Sequence, residues 1–408
     1  MPTYEYDLIV IGNTPAARSA ALLAAQQSIR VALITQGAPR HDALLQSQSA
    51  QHQTQTTRTY DPEHTSLLTA QDLLSPYTLA VAGIDEVTDA GTWHNPPAWI
   101  WRTDRVNYQA KRYLLALGQQ SSVPPLAQNL DPVVTLESLL EQPWQDLPQR
   151  LAIVGASPIT LVTAQSLRRT GREITLVARD RLLPQEDPMV VQYLQGILEA
   201  AGIRLYTHMS VSQIQQRESQ QWLQAGDRAL ESDRLIWAQP TPRIWPRLRD
   251  LGAAGQYQVN RQLRVTPYRN LYACGGWLGG YADLAVGQYE AAIAVHNCLH
   301  RRQRSVDYRT VPWVLPTDPP LARVGLTPDQ ARHRYGAVVQ VQTTPRHQLL
   351  SARLTETTVG LCRWVTGERG QILGATLLGS GADVAVGALA LAIQQGLTID
   401  QVGRSVWG

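Results

Sequence analysis

Apolar and polar positions along the chain fall into two segments that share one plan. Each has a short apolar strand, a small-residue turn, an Ala/Leu-rich helix and a second apolar strand. The first runs from Leu8 to Ile34 and the second from Leu151 to Val177. Each is about the length of a βαβ unit, so the repeat predicts two dinucleotide-binding lobes in one chain. Between them, residues 46–66 are rich in Gln, Ser, Thr and His with no apolar period, and read as loop or frayed helix. Residues 77–116 alternate in strand fashion, with turn signals at Asp89-Ala90-Gly91 and Asn95-Pro96-Pro97. Short strands follow around 203–237, then a Pro-rich break at 240–246, a strand from Asn270 to Cys274 and a helix from Ala282 to His300. A basic, polar linker at 300–309 precedes a last region of strands and helices. There Ala382 to Gln395 is apolar at helical spacing and is expected to pack on a sheet or on a partner subunit. The fold class is therefore α/β, with two Rossmann-like lobes and an α+β C-terminal domain.

Composition narrows the function classes. At 408 residues the chain is too long for one ordinary domain. Its 44% hydrophobic and 17% charged content describes a globular protein with ample core material. A net charge of +3 argues for no nucleic-acid or membrane role. No apolar run approaches the length of a membrane span, and the chain enters an apolar strand at Asp7–Ile11 without a signal-like segment. Cys274, Cys298 and Cys362 form no close pair and no metal spacing, so a cytoplasmic protein with reduced thiols is expected. His41, His52 and His64 lie in the polar stretch without ligand spacing. Phenylalanine is absent and Lys111 is the single lysine; neither bias has a functional account.

Several motifs then become informative. Tyr308-Arg309-Thr310-Val311-Pro312, Thr317-Asp318-Pro319 and Val324-Gly325-Leu326-Thr327 are followed by Ile372-Leu373-Gly374-Ala375, Gly379 and Ala390 to Thr398. This series resembles the dimerisation domain of the pyridine nucleotide–disulfide oxidoreductases, the family of dihydrolipoamide dehydrogenase, glutathione reductase and mercuric reductase. Val154-Gly155 through Arg179, with Leu182-Leu183-Pro184 and Asp187, is similar to that family's nicotinamide-binding unit. Leu271-Tyr272-Ala273-Cys274-Gly275 resembles the strand returning to the flavin. The resemblance covers most of the chain in the right order. It implies an FAD-binding-type domain at 1–149 and 255–305, an NAD(P)-binding-type domain at 150–254 and a dimerisation domain at 306–408. A homodimer formed through the last of these is implied as well.

The family's redox centre is missing. Members carry a reactive cysteine pair on the helix after the first βαβ unit, where one thiolate exchanges electrons with flavin and the other attacks a disulfide. The corresponding stretch, Ala38 to Thr57, has no cysteine. Cys274, in an apolar strand, and Cys362 read as core, and Cys298 as an ordinary helix residue beside His296 and His300. The resemblance also implies a C-terminal His-Glu pair as acid–base. The chain reaches Arg404 to Gly408 about where that segment would begin, and no histidine follows His347. Disulfide reduction is expected to be excluded, and no catalytic residue is named.

Both nucleotide fingerprints are partly kept. For FAD, Gly12 keeps the first glycine, Thr14 and Ala17 replace the second and third, and Pro15 and Ala16 match the family. Gly118 and Gly275 are kept. Thr35 replaces the ribose-binding acid, Leu117 a threonine and Gly276 the aspartate that holds the ribityl chain. Losses at 35, 117 and 276 with crowding at 14 sum to about 4–6 kcal/mol if additive, or about three to four orders of magnitude in affinity. In the second lobe Gly155 is kept, Ser157 and Thr160 replace glycines, Val162 a glutamate and Pro240 a glycine. Arg179, with Arg181, stands where an acid would bind the adenosine 2′-hydroxyl, so any cofactor preference should be for NADPH over NADH; a solvated loop is the other reading of these arginines. Arg168, Arg169 and Arg172, and His300 with Arg301, Arg302 and Arg304, read as solvated basic surface.

Three functions are compatible with this pattern. One is an FAD-dependent NAD(P)H oxidoreductase passing electrons directly to a small acceptor. Another is a pseudoenzyme dimer with weak or empty sites, acting as a scaffold or regulatory partner of another protein. The third is a sensor that binds one dinucleotide without turnover.

Overall fold

A computed structural model of the chain describes residues 1–35, 75–88, 91–94, 99–127, 133–140, 144–217, 220–242, 258–280 and 283–402. The polar stretch at 46–66, the cysteine-free segment 38–57, most of the two expected turns at 89–97 and residues 404–408 lie outside them. The chain divides into two compact units, one drawn from its N-terminal part and residues 240–306, the other mainly from 121–239 and 307–408.

The first unit is built on a parallel sheet. Strand β1 (Thr3–Ile11) is followed by helix α1 (Pro15–Ala25) and β2 (Val31–Ile34). Next come α2 (Pro76–Val81), β3 (Asp85–Val87), β4 (Gly91–His94), β5 (Ile100–Thr103) and β6 (Asn107–Leu115). After the crossing through the second unit, β7 (Leu271–Ala273) and α3 (Leu284–Leu299) complete it. The sheet runs β3-β2-β1-β6-β7, all parallel, while β4 and β5 extend antiparallel from the first half of β6. Strand alternation sends Leu8, Val10, Val31 and Leu33 into a core shared with α1 and α3. Ile9, Ile11, Ala32 and Ile34 go to the opposite face, with Trp93, Trp99, Trp101 and Tyr113. Trp99 and Tyr113 lie with ring centroids 6.0 Å apart, and Trp93 meets Tyr113 edge-on at 5.6 Å.

One expectation is corrected within this unit. The alternation read as strand from residue 77 instead begins with helix α2. The Ser75 hydroxyl accepts from Thr78 N–H at 3.2 Å and Pro76 occupies the first turn, so local capping outweighs the alternating pattern. Leu79 is the buried anchor, and Gly83 at φ +75° ends the turn.

The second unit holds another parallel sheet, in the order 203–206, 173–177, 150–154, 234–237, 133–135. Helices Pro158–Arg169 and Pro188–Ala200 follow its first two crossovers, and strands 211–232 form an antiparallel meander. Further along the chain lies a five-stranded antiparallel sheet in the order 313–315, 321–325, 372–378, 361–366, 340–345. Helix Ala382–Gln394 packs Ala382, Val386, Leu389 and Ala392 onto that sheet against Val324, Trp364 and Leu377. The two sheets are tied by buried charges: Glu186 takes Arg323 Nε at 2.6 Å, and Asp187 takes Arg363. Gln165 adds a reciprocal pair, donating to Asp318 O and accepting from its N–H, both at 2.7 Å.

Leu389 is fully buried in the center of its helix face. Leu389→Ala should cost about 2–5 kcal/mol in unfolding free energy, read from the urea midpoint.

Candidate functional site

In both units the site is made by turns at the carboxyl ends of adjacent parallel strands, where ligands of open α/β sheets bind. In the first unit Ile11 pairs with Leu115, and Leu115 with Ala273, so β1, β6 and β7 end level. The turns that follow them carry Gly12, Gly118 and Gly275.

Gly12 has φ +143°, and a Cβ there would meet Ala116 O at 2.1 Å. Only glycine lets the strand turn while the β6 carbonyl stays in place. Thr14 then caps α1. Its Oγ1 accepts from Ala17 N–H at 3.2 Å and donates to Ala116 O at 2.8 Å, while its methyl lies over Gly118. Pro15 opens the helix without an N–H to satisfy. Ala16 is a spacer: its Cβ lies 3.2 Å from a Cβ built on Gly275 and 3.4 Å from one on Gly287, so α1, α3 and the 275 turn close against each other. Ala17 is fully buried. Gly276 follows in a short 3-10 turn over Gly275–Leu278, and Gly275 N–H donates to the buried Glu290 carboxylate at 2.6 Å. Gly12, Thr14, Pro15, Ala16, Ala17, Gly118 and Gly275 therefore lie in or against adjoining turns, and Gly276 extends the last of them.

Two of the substituted positions are buried. Leu117 turns into the tryptophan-rich core and is buried there. Thr35 is also buried, with its hydroxyl unpartnered among the described residues.

The second unit repeats the arrangement. Gly155 has φ +151°, and a Cβ there would meet Ala238 O at 2.1 Å. Ser157 caps the helix at Thr160 N–H (3.4 Å), its hydroxyl lies 2.7 Å from Thr160 Oγ1, and that hydroxyl donates to Ala238 O at 3.3 Å. Val162 is buried in the helix face. Arg179 is exposed and pairs with the neighbouring, equally exposed Asp180 at 3.2 Å. Arg181 is turned back onto Pro184 O at 2.5 Å.

Both units keep the sharp strand-to-helix turn of a dinucleotide site, because each has a glycine where the neighbouring strand's carbonyl leaves no room for a Cβ. The donor set is thinner than the glycine-rich fingerprint provides. The hydroxyls of Thr14 and Ser157 have taken one first-turn N–H in each helix, the group a phosphate would use.

The cysteines are all free and buried. Burial pushes each thiol above its ordinary value, and for Cys274 the Glu290 carboxylate and Cys298 add to the effect. Cys274 directly precedes Gly275, yet its side chain belongs to the core beneath α1 and α3. Among the described residues no group of three metal-ligating side chains is present, and no helix is long and apolar enough to cross a membrane.

A polar network near the first turn escaped the sequence reading. Arg18, on α1, is 4% exposed; its Nη2 donates to Asn13 Oδ1 at 3.0 Å and to Glu86 Oε1, on β3, at 2.8 Å. The one available signal was a charged residue in an otherwise Ala/Leu helix.

With this geometry in view, the comparisons fix the class. The pyridine nucleotide-disulphide oxidoreductase profile matches residues 6–294, and the dimerisation-domain profile of the same family matches 311–407. The chain belongs to the pyridine nucleotide–disulphide oxidoreductase family, whose members are FAD-dependent pyridine nucleotide oxidoreductases. It is 27% identical to a mercuric reductase of Staphylococcus aureus over 437 residues, covering 98% of this chain and 79% of that one. Its fold is similar to that of RclA, an HOCl-induced flavoprotein disulfide reductase from Escherichia coli, with TM-score 0.79, 23% identity and coverage of 96% and 94%. LpdA from Mycobacterium tuberculosis gives TM-score 0.81 at 20% identity, with coverage of 97% and 95%.

The thiols make a testable set. A thiol reagent at neutral pH should leave the native protein unlabelled and modify all three cysteines after denaturation; rapid native labelling would contradict their burial. Because the folded thiols hold their protons more tightly than unfolded ones, their contribution to stability is complete below the unfolded value of 9.0 and falls as pH rises above it. Urea midpoints from pH 8 to about 10.5 should decline accordingly.

Proposed function

We propose that this chain is an FAD-dependent NAD(P)H oxidoreductase that works without a dithiol step and passes electrons to a small acceptor. The observation that carries this reading is the convergence of the Gly12, Gly118 and Gly275 turns at the level ends of three parallel strands. Burial of every cysteine, and their absence from 38–57, supports electron exit by a route other than sulfur. Bound FAD would supply the hydride-accepting and electron-donating chemistry. The chain's own residues bind and orient. Gly12, Ala16, Gly118 and Gly275 let the three turns and the helices close around the site, Gly276 extends the last turn, Pro15 and Ala17 start and seat α1, and Thr14 caps that helix with its hydroxyl. No side chain is assigned as a catalytic acid or base.

For the nicotinamide cofactor, Gly155 and Ser157 form the turn and Arg179 supplies the cation. Its exposed pair with Asp180 is weak, so a ribose 2′-phosphate can compete for it, which favours NADPH over NADH. Arg179→Glu should reverse the preference in a comparison of the two cofactors' affinities. The expected bounds at 149 and 255 shift, because strand 133–135 pairs with 234–237 in the second sheet: the assignment becomes residues up to 120 with 240–306 for FAD, 121–239 for NAD(P) and 307–408 for dimerisation. A homodimer through the last is supported by the family match there and by the exposed Val384 and Leu391 on helix Ala382–Gln394.

A second reading, a pseudoenzyme dimer acting as a scaffold or regulatory partner, has its own support. Thr14 and Ser157 cap their helices from within, so both helix starts are stable with no ligand present.

The visible spectrum separates the two. Purified protein should show flavin absorbance approaching one FAD per chain, or acquire it on addition of FAD, and NADPH should bleach it without oxygen. Protein that stays colourless with added FAD favours the scaffold. Thr14→Gly with Gly276→Asp should raise FAD affinity by at least about tenfold; no gain would show that the site was misread.

A further inference from the structure

We infer that Glu86 and Thr35 form the ribose subsite for an adenosine diphosphate group in the first unit, with Arg18 as a positioning residue. The inference rests on the dinucleotide reading of that unit and assigns the residues that recognise its adenosine half. A ribose diol presents two hydroxyl donors and needs a carboxylate acceptor close to the end of the second strand. Position 35, at the end of β2, carries no acid.

The neighbouring strand supplies one. Glu86 is the register partner of Leu33, so its side chain leaves the sheet on the α1 side. The same alternation sends Thr35 to that side, one step beyond Leu33. Thr35 N–H donates to Val87 O at 2.9 Å, so the ends of β2 and β3 are held together, and the two side chains leave the same face of neighbouring strands with Glu86 level with Leu33. Arg18 fixes Glu86 through Oε1, while Oε2 makes no hydrogen bond among the described residues and the side chain keeps 21% of its surface exposed. One carboxylate oxygen is anchored and the other is open to a ligand.

Thr35 is the second, independent observation. Its hydroxyl is at a residue only 1% exposed and has no partner among the described residues. Buried hydroxyls are rarely left unpaired without a reason, and a ribose oxygen would satisfy this one. Asn13, the middle residue of the Gly12-Asn13-Thr14 turn, accepts from the same guanidinium at 3.0 Å, linking the subsite to the phosphate-side turn. The acceptor has thus moved one strand sideways, from the end of β2 to β3. Because Glu86 offsets the charge of Arg18, the subsite suits free ribose hydroxyls and not a 2′-phosphate.

Two variants test this without emptying the core. Thr35→Val removes an unpaired hydroxyl at constant shape and should not lower the melting temperature. Glu86→Gln keeps an acceptor for Arg18. Each should weaken FAD binding about threefold to tenfold, measured by calorimetry on the full chain, and leave FMN, which lacks the adenosine half, unaffected. If both variants bind FAD as the native chain does, the subsite is wrong although the flavin reading stands. If the native chain binds no FAD, that reading falls and titration with ADP decides the subsite. A component of ADP binding lost in both variants sustains it, and ADP binding that is absent, or identical in all three proteins, overturns it.

Discussion

The approach of the Ala116 carbonyl to Gly12, repeated by Ala238 and Gly155, governs everything built around these two turns. With 2.1 Å between each oxygen and the place a Cβ would take, no other residue fits without moving a central strand. That constraint keeps the chain crossing sharply from strand to helix. It also leaves the two carbonyls exposed to whichever side chain opens the helix. Thr14 and the Ser157–Thr160 pair meet that need with hydroxyls, and the helix start becomes self-sufficient. A glycine in the same place would leave both the carbonyl and the amide for a ligand or for water. Retained turns and lost donors are therefore consequences of one arrangement, in both lobes.

The same economy appears in the sulfur positions. Cys274 directly precedes the Gly275 turn, but its side chain is buried in the core under α1 and α3 that also holds Cys298. Desolvation there disfavours the thiolate, the form that attacks disulfides and exchanges electrons. Proximity in sequence to a nucleotide turn confers no reactivity when the side chain faces the core.

In the second unit, charge does structural work that hydrophobic packing alone does not specify. Glu186 and Asp187 close the loop before helix Pro188–Ala200 and reach Arg323 and Arg363 on the antiparallel sheet. Removing one partner of such a pair leaves an uncompensated buried charge. The dimerisation-type sheet and the nicotinamide-type lobe are thus held within one compact body.

Local periodicity and turn chemistry were legible in the amino-acid order, because they depend on residues a few positions apart. The βαβ repeat, the glycines at 12 and 155, the helices at 284–299 and 382–394 and the cysteine-free segment were all readable there. Ser75-Pro76 was an available start signal for α2, and the alternating pattern beyond it hid the helix. Only the tertiary structure decided where Leu117 points, which carbonyls Thr14 and Thr160 reach, and that Glu86 receives Arg18. Those contacts join strands separated by tens of residues, and their register is fixed by packing of the whole sheet, which no local pattern encodes.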